Sequence, residues 1–393
     1  MAAPPQHDCN PNPGFGRIPL GDIPRTVMGV FRLAFHVASF FICRPFSRSV
    51  RPWRDDLERS IVRKVFLCLP LSILRRPSTI DHFSKSKRYG SIVENLNERV
   101  ERPDFAGNWL CKPRFDGKAP PSEADVVILY IHGGGYVMSQ PNQFAAMLLR
   151  VAETVADTGK TVAIFVLDYS LAPESVFPRQ LGQASACWEY LTTEQNIPGS
   201  NIALMGDSAG GSICLSLLTH LAYPLPSVKS PTIRSAPGRG AFLLSPWVSL
   251  FDQGGYSDKA DSDLLVGSVL RRWATMAVAG AKRADVENYL EFTTAGSTRP
   301  GLGQILPEIT YVFAGGDELF LENISRFVEA AKAAGANVMY NVKAGACHDW
   351  QVSESVKNEK KYLALPFGTP DAGLLSGADA IGKKLSSLVT GMT

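Results

Sequence analysis

Residues 202–211 read IALMGDSAGG, and this stretch indicates the fold of the chain most clearly. Its first four residues are apolar and suit a buried parallel strand, whereas the apolar residues that follow it recur at helical spacing. Between strand and helix lies a G-x-S-x-G pentapeptide, Gly206 to Gly210. A strand, a sharp glycine turn and a helix form the setting of a nucleophile elbow, with the serine at the tip. Ser208 is therefore the candidate nucleophile, and a plain strand-to-helix turn is the alternative.

Apolar runs of strand character alternate with helical patterns along the chain. The strand-like runs are 126–131, 161–167, 240–244, 309–313 and 337–342, and the helical ones are 141–155, 180–191 and 323–334. This alternation predicts an α/β fold with a mostly parallel central sheet flanked by helices. We assign residues 106–393 to this catalytic domain, with an insertion at about 249–303, and residues 1–105 to an N-terminal segment and cap helices.

Composition excludes several classes of protein. The net charge of +3 on 393 residues is too small and dispersed for a nucleic-acid partner. The seven cysteines are scattered, without a C-x-x-C pair or zinc spacing, which favours reduced thiols in a cytoplasmic protein and no metal site. No dinucleotide fingerprint is visible, so we expect no cofactor.

The N-terminal region allows two interpretations. Residues up to about Pro24 are rich in proline and glycine and are expected to lack fixed structure. Val27 to Cys43 is apolar, and four arginines follow by residue 54. Residues 27–54 are either a cap helix resting on the catalytic body, which we prefer, or a helix in peripheral contact with an anionic membrane. The two interpretations are compatible, and residues 61–74 fit a second cap helix.

A nucleophilic serine needs a base, and the base needs an orienting acid. In enzymes with such an elbow, the order along the chain is serine, acid, histidine. Of the six histidines only His348 follows the last strand, so it is the predicted base. Asp317 follows a strand and a double glycine and is the predicted acid. Glu318 and Asp349 are alternatives, each interpreted as a solvated or supporting carboxylate.

The reaction also needs hydrogen-bond donors for the oxyanion of its tetrahedral intermediate. The run Gly133-Gly134-Gly135 follows the strand 126–131, and without side chains its N–H groups can converge on the site. The N–H of Ala209, the residue after the nucleophile, would be a third donor. The alternative for the glycine run is a flexible loop.

Six segments together resemble one known family. They are HGGGY (132–136), DYSLAPE (168–174), GDSAGG (206–211), SPW (245–247), GGDELF (315–320) and CHDW (347–350). This ordered set is similar to the hormone-sensitive-lipase family of α/β-hydrolases, which includes arylacetamide deacetylase-like and steryl acetyl hydrolase-like esterases. The resemblance implies a carboxylic ester hydrolase with the α/β-hydrolase fold. The implied roles are nucleophile Ser208, acid Asp317, base His348 and oxyanion donors Gly134, Gly135 and Ala209.

The resemblance also implies a helical cap, which matches residues up to about 105 and 249–303. Asp168 and Glu174 match a loop that supports the oxyanion turn in the family. Tyr136 and Trp247, together with cap residues, are expected to line the substrate pocket.

The predicted function is hydrolysis of a hydrophobic ester through an acyl-enzyme on Ser208. The apolar cap suggests an acetyl or short acyl ester of a lipid, sterol or secondary metabolite. One alternative is an acyltransferase that uses the same residues with an alcohol or amine acceptor. A second, which leaves the triad unused, is a non-catalytic binder of small molecules.

Overall fold

The computed structural model describes residues 18–46, 49, 51–75, 77–293 and 298–391. In this part of the chain, eight strands form one sheet. They are β1 (Glu98–Glu101), β2 (Ala106–Cys111), β3 (Val126–Ile131), β4 (Val162–Asp168), β5 (Ile202–Asp207), β6 (Ala241–Leu244), β7 (Thr310–Gly315) and β8 (Val338–Lys343). Their order is β1-β2-β4-β3-β5-β6-β7-β8. β2 is antiparallel to both neighbours and the remaining pairs are parallel, which confirms the predicted fold class.

Helices cover both faces of the sheet. The α-helices of the described residues are α1 (Ile23–Cys43), α2 (Trp53–Cys68), α3 (Leu71–Leu74), α4 (Ala145–Ala156), α5 (Arg179–Glu189), α6 (Ser208–Ala222), α7 (Tyr256–Lys259), α8 (Gly267–Ala277), α9 (Arg283–Tyr289), α10 (Leu302–Ile305), α11 (Leu321–Ala333), α12 (Trp350–Leu363) and α13 (Ser376–Thr390). α4, α12 and α13 contribute to the core on one face, and α5, α6 and α11 to the core on the other. Every residue of β3 to β7 is buried, which explains why these strands are mainly apolar.

The parallel strands bring the motifs of the sequence to one edge of the sheet. The glycine run follows β3, the elbow follows β5, and the acid and histidine segments follow β7 and β8. Because these strands are parallel, their carboxyl ends lie at the same edge, where α/β folds place their sites.

The cap combines two distant parts of the chain. In the insertion, which carries α7 to α10, an isolated bridge pairs Ser249 with Glu291. The N-terminal helix α2 packs on this insertion, with the rings of Phe66 and Trp273 at 5.3 Å. Nη1 of Arg59 also donates to the carbonyl of Ser262 at 2.6 Å. Helices from both segments therefore cover the catalytic edge together.

Two sequence expectations need correction. β1 lies before the proposed boundary at residue 105 yet pairs with β2, so the sheet extends into the segment assigned to the cap. Residues 20–24 are helical, and Pro24 is compatible with this because it occupies the first turn of α1, where its missing N–H costs nothing. Residues 1–17 lie outside the described part of the chain, so the expectation for them stays a prediction.

Candidate active site

The turn between β5 and α6 has the strained geometry of a nucleophile elbow. Ser208 has φ +49°, in the left-handed region that a residue with a side chain rarely adopts. The turn is this tight because glycines permit it. A Cβ on Gly206 would lie 2.7 Å from the backbone of Gly210, and a Cβ on Gly210 would lie 2.0 Å from the carbonyl oxygen of Ile131. The serine is thus held at the end of the strand by backbone contacts that no larger residue allows.

The structure brings Ser208 and His348 together. Oγ of Ser208 lies 2.8 Å from Nε2 of His348, although the two residues are 140 positions apart. Both side chains are buried, and the ring of Phe320 packs edge-on against the imidazole at 4.9 Å. This is the contact that a base needs to take the hydroxyl proton.

Asp317, the predicted acid, is placed elsewhere. Its carboxylate accepts from Nη1 of Arg59 at 2.9 Å and from Nη1 of Arg51 at 3.4 Å, and it is partly exposed. Within the described residues, no ion pair joins Asp317 to His348. The prediction is corrected here, because the arginines of the N-terminal segment draw this side chain outward from the histidine.

Glu318 lies behind the histidine instead. Its Oε2 is 4.0 Å from Nδ1 of His348, and its side chain is fully buried. The same oxygen accepts from the hydroxyl of Ser245 at 2.6 Å and from the N–H of Gly315 at 2.9 Å. Nδ1 of His348 and Oε1 of Glu318 are buried, and neither has a hydrogen-bond partner among the described residues. Hydrogen bonds between catalytic groups are commonly long in a free enzyme and shorten when substrate binds.

Asp263 is a site residue that no sequence pattern indicated. It is fully buried, and it lies in the insertion, outside every motif. Its Oδ1 accepts from the N–H of His348 at 2.9 Å, and its Oδ2 accepts from the N–H of Leu319 at 2.8 Å. One cap carboxylate therefore ties the histidine segment to the acid segment.

Carboxylates surround the imidazole and change its pKa. Burial by itself lowers the pKa of His348, but the negative charges of Asp349, Glu318 and Asp263 outweigh it and raise the pKa to about 9. Oδ2 of Asp349 lies 3.1 Å from Nε2, so it is the closest of these charges. Burial raises the pKa of Glu318 to about 8, while the charge of His348 acts in the opposite direction.

The glycine run lies beside the nucleophile. Gly134 has φ +103° and Gly135 has φ +61°, and their N–H groups have no acceptor within the described residues. The N–H of Ala209 lies in the first turn of α6, where helical N–H groups lack a partner. A Cβ on Gly133 would lie 3.0 Å from Cβ of Ser208, which shows how closely the run approaches the elbow.

Buried polar groups fix this run in place. Oδ1 of Asp207 accepts from the N–H of Gly133 at 2.8 Å and from the hydroxyl of Tyr130. The hydroxyl of Tyr169 donates to the carbonyls of His132 at 2.9 Å and Gly133 at 3.1 Å. The His132 ring stacks on that of Tyr169 at 4.3 Å.

The two carboxylates expected to support the turn act through arginines. Glu174 pairs with both terminal nitrogens of Arg75, at 2.7 and 2.9 Å. Arg75 in turn donates to the carbonyl of Val137, just past the glycine run, at 2.7 Å. Asp168 pairs with Arg99 at 2.7 Å, on the far side of β2. Glu174 is therefore connected to the turn, whereas the described contacts of Asp168 lead to the sheet edge.

Aromatic side chains gather around the nucleophile. The N–H of Trp247 donates to the carbonyl of Ser208 at 2.9 Å, and the ring of Tyr136 lies 6.3 Å from that of Trp247. Trp273 of the cap lies against the glycine run, where a Cβ on Gly135 would be 2.5 Å from its ring. These rings place apolar side chains beside the elbow and the glycine run.

Comparisons with known proteins agree with the fold described above. A family model described as alpha/beta hydrolase fold matches residues 128–352. An acetyl-hydrolase of Streptomyces hygroscopicus is 27% identical over 279 residues, which cover 70% of this chain and 82% of that protein. A hormone-sensitive lipase of Mus musculus is 30% identical over 181 residues, 42% of this chain and 21% of that protein. A crystal structure of an esterase from the bacterial hormone-sensitive lipase family superposes with a TM-score of 0.56 at 22% identity, covering 93% of this chain and 98% of that one.

Proposed function

Since the chain belongs to the hormone-sensitive-lipase family of α/β-hydrolases and is a carboxylic ester hydrolase, we propose that it cleaves hydrophobic esters through an acyl-enzyme on Ser208. One observation carries the proposal: Oγ of Ser208 lies 2.8 Å from Nε2 of His348 at a strained elbow. This is the arrangement of a serine that is activated by a neighbouring base.

The reaction has two halves. Oγ of Ser208 attacks the ester carbonyl carbon while Nε2 of His348 takes its proton. The C–O bond to the leaving alcohol breaks, His348 gives that proton to the departing oxygen, and the acyl group stays on Ser208. A water molecule then loses a proton to His348 and attacks the acyl carbon. The bond between that carbon and Oγ of Ser208 breaks, His348 returns the proton to Oγ, and the carboxylic acid leaves.

In this proposal Glu318, rather than Asp317, is the acid of the triad. Its buried carboxylate faces Nδ1 of His348, where a negative charge stabilises the imidazolium that forms in each half of the reaction. The hydrogen bonds from Ser245 and Gly315 hold the carboxylate in that position and favour its ionised form.

The proposed oxyanion donors are the N–H groups of Gly134, Gly135 and Ala209. The first two have no acceptor within the described residues, and the third lies at the start of a helix, where the helix dipole also favours negative charge. The buried hydrogen bonds to Asp207 and Tyr169 keep the glycine run aligned before substrate binds.

The proposed substrate class follows from the aromatic rings beside the elbow and the glycine run. The rings of Tyr136, Trp247 and Trp273 favour an ester with an apolar portion, such as an acetyl or short acyl ester of a lipid, sterol or secondary metabolite. A relative named acetyl-hydrolase supports the short acyl group.

The decisive experiment compares the wild type with Ser208→Ala on a short-chain aryl ester, with Ser216→Ala as a matched control in the same helix. We expect Ser208→Ala to lose about 10³-fold or more of the turnover and all labelling by a fluorophosphonate. Wild-type turnover in Ser208→Ala would refute the acyl-enzyme. Product analysis with an added alcohol separates hydrolysis from acyl transfer, since a transferase would give mainly the new ester.

We also place the chain in the cytoplasm, associated with a membrane. The six described cysteines all carry free thiols, as expected in a reducing compartment. Residues 20–46 form a helical stretch that is long and apolar enough to contact or cross a bilayer by length and composition. Cell fractionation tests this placement: recovery in the lumen of a secretory compartment would contradict it.

A further inference from the structure

The helix α1 is apolar over most of its circumference but is covered on one side only. The stretch Leu20–Phe46 has a mean hydropathy of 1.7 over its most apolar window, and 6% of that window is buried. Gly29 is the buried residue of α1, and a Cβ there would lie 2.7 Å from the carbonyl oxygen of Cys68. α1 therefore touches the end of α2 closely on one side. An apolar helix with so little cover needs another apolar environment.

The uncovered side of α1 forms one continuous face, which we name the outer face. It consists of Met28, Phe31, Phe35 and Ile42, whose spacing of three, four and seven residues places them on the same side of the helix. Phe31 is 69% exposed and Phe35 is 75% exposed. Arg25 and Arg32 are exposed as well, and helical spacing puts them along one border of the outer face. An apolar face with a basic border is typical of helices that lie on membranes.

The segment around α1 is strongly basic. Residues 20–64 contain nine Lys and Arg against four Asp and Glu, an excess larger than the +3 of the whole chain. Beside the end of α1, Trp53 is half-exposed, with the Arg54 guanidinium 5.4 Å above its ring and the ring of Phe41 at 6.1 Å. Tryptophan next to arginine is common at the boundary between lipid tails and headgroups. Arg51 and Arg59 are engaged with Asp317 within the protein. The exposed Arg25, Arg32 and Arg54 match anionic lipid.

We propose that the outer face of α1 lies in the headgroup boundary of an anionic lipid bilayer, with the helix parallel to the membrane surface. This inference deepens the membrane association proposed above and does not depend on the reaction. A parallel orientation keeps the contact between α1 and α2. α2 is itself fixed to the catalytic domain, because its Arg59 donates to Asp317 and to the carbonyl of Gly345. A spanning helix would carry Arg32 into the hydrocarbon, where a charge is costly.

The orientation has a consequence for the active site. α2 contacts α1 on one side and the acid and histidine segments on the other. The outer face therefore sets the catalytic cap beside the bilayer, where esters with apolar portions partition.

Vesicle flotation tests the inference. The purified chain is mixed with vesicles of equal parts phosphatidylserine and phosphatidylcholine, or of phosphatidylcholine alone. We expect the wild type to float with the anionic vesicles. For the double variant Phe31→Asp/Phe35→Asp, we expect the fraction of protein that floats to be at least about tenfold lower. The matched control Val356→Asp/Met339→Asp removes two exposed apolar residues elsewhere on the molecule and should float like the wild type.

Further measurements separate the other outcomes. Equal thermal unfolding midpoints show that the double variant is folded, and Ser208→Ala should float like the wild type, so a failure of the proposed chemistry leaves this test intact. Equal flotation of wild type and Phe31→Asp/Phe35→Asp would overturn the inference. The inference would also be overturned if the wild type does not float but forms dimers, and if Phe31→Asp/Phe35→Asp dissociates these dimers. The outer face would then bind a second copy of the chain.

Discussion

Asp317 and Glu318 are adjacent in the chain but lie in opposite environments. The carboxylate of Asp317 is 21% exposed and pairs with Arg59 and Arg51 of the N-terminal segment. Glu318 is fully buried, accepts from Ser245 and Gly315, and faces His348. Successive side chains in the turn after β7 thus point to different sides, one toward the cap helices and one toward the histidine. Position in a motif identifies the turn, but the direction of each side chain decides which carboxylate takes part in the chemistry.

The largest expected effect comes from Glu318→Gln. The amide keeps the size of the side chain but removes the charge that stabilises the imidazolium, so we expect kcat on a short aryl ester to fall by about 10³- to 10⁴-fold with little change in KM. Glu322→Gln, a neighbouring exposed carboxylate, is the control and should match the wild type. If Glu318→Gln keeps more than about a tenth of the wild-type kcat, Glu318 is not the acid.

Asp263→Asn should have an intermediate effect. Asn has one acceptor oxygen, so it cannot accept from the N–H groups of both His348 and Leu319 in the manner of the aspartate. We expect kcat to fall by about 10- to 100-fold, corresponding to the cost of one lost buried hydrogen bond to a charged group. Asp261→Asn, two residues away and exposed, is the matched control. Equal kcat values for the two variants would show that Asp263 does not align the triad.

A smaller effect is expected on the pH profile. His348 acts as a base only when neutral, and its pKa is raised to about 9 by Asp349, Glu318 and Asp263. Activity should therefore rise with pH through the neutral range and level off near that value. In Asp349→Asn the nearest charge is gone, so the rise in activity should move to lower pH. The control Asp55→Asn, which changes a partly exposed carboxylate of α2, should leave the rise in place. If the rise in activity of Asp349→Asn stays at the same pH or moves to higher pH, the assignment of His348 as the titrating base is contradicted.

The sequence predicted the sheet well where strands are buried on both faces. The run 126–131 coincides with β3, and the runs that correspond to β4 and β7 differ from them by one or two residues at their ends. Continuous apolar runs are unambiguous because both faces of these strands meet helices. β1, with the sequence ERVE, was missed because an edge strand exposes most of its side chains. α12 and α13 were also not predicted.

The site residues were predictable where the backbone conformation requires particular residue types. Ser208 and the glycine run were found because only glycine fits the close approaches around them, and His348 was found from chain order. The acid could not be chosen, because Asp317 and Glu318 both follow β7 and only packing separates them. Asp263 could not be found at all, since it reaches the triad from a segment of the insertion that lies outside every motif.

The smallest effect on catalysis is expected for Asp317→Asn. If this carboxylate holds the N-terminal helix α2 rather than His348, its loss weakens the ion pairs with Arg59 and Arg51 but leaves the triad in place. We expect kcat within about tenfold of the wild type and a loss of about 1 kcal/mol in the free energy of unfolding, typical of a partly exposed pair. Arg59→Gln should cost more, because Arg59 also donates to the carbonyls of Ser262 and Gly345. The double variant should cost little more than Arg59→Gln alone, since both single changes remove the contact between Arg59 and Asp317. A loss of kcat in Asp317→Asn as large as that in Glu318→Gln would reverse the comparison and return the role of acid to Asp317, since no helix-docking contact of this strength can account for a thousandfold change in turnover.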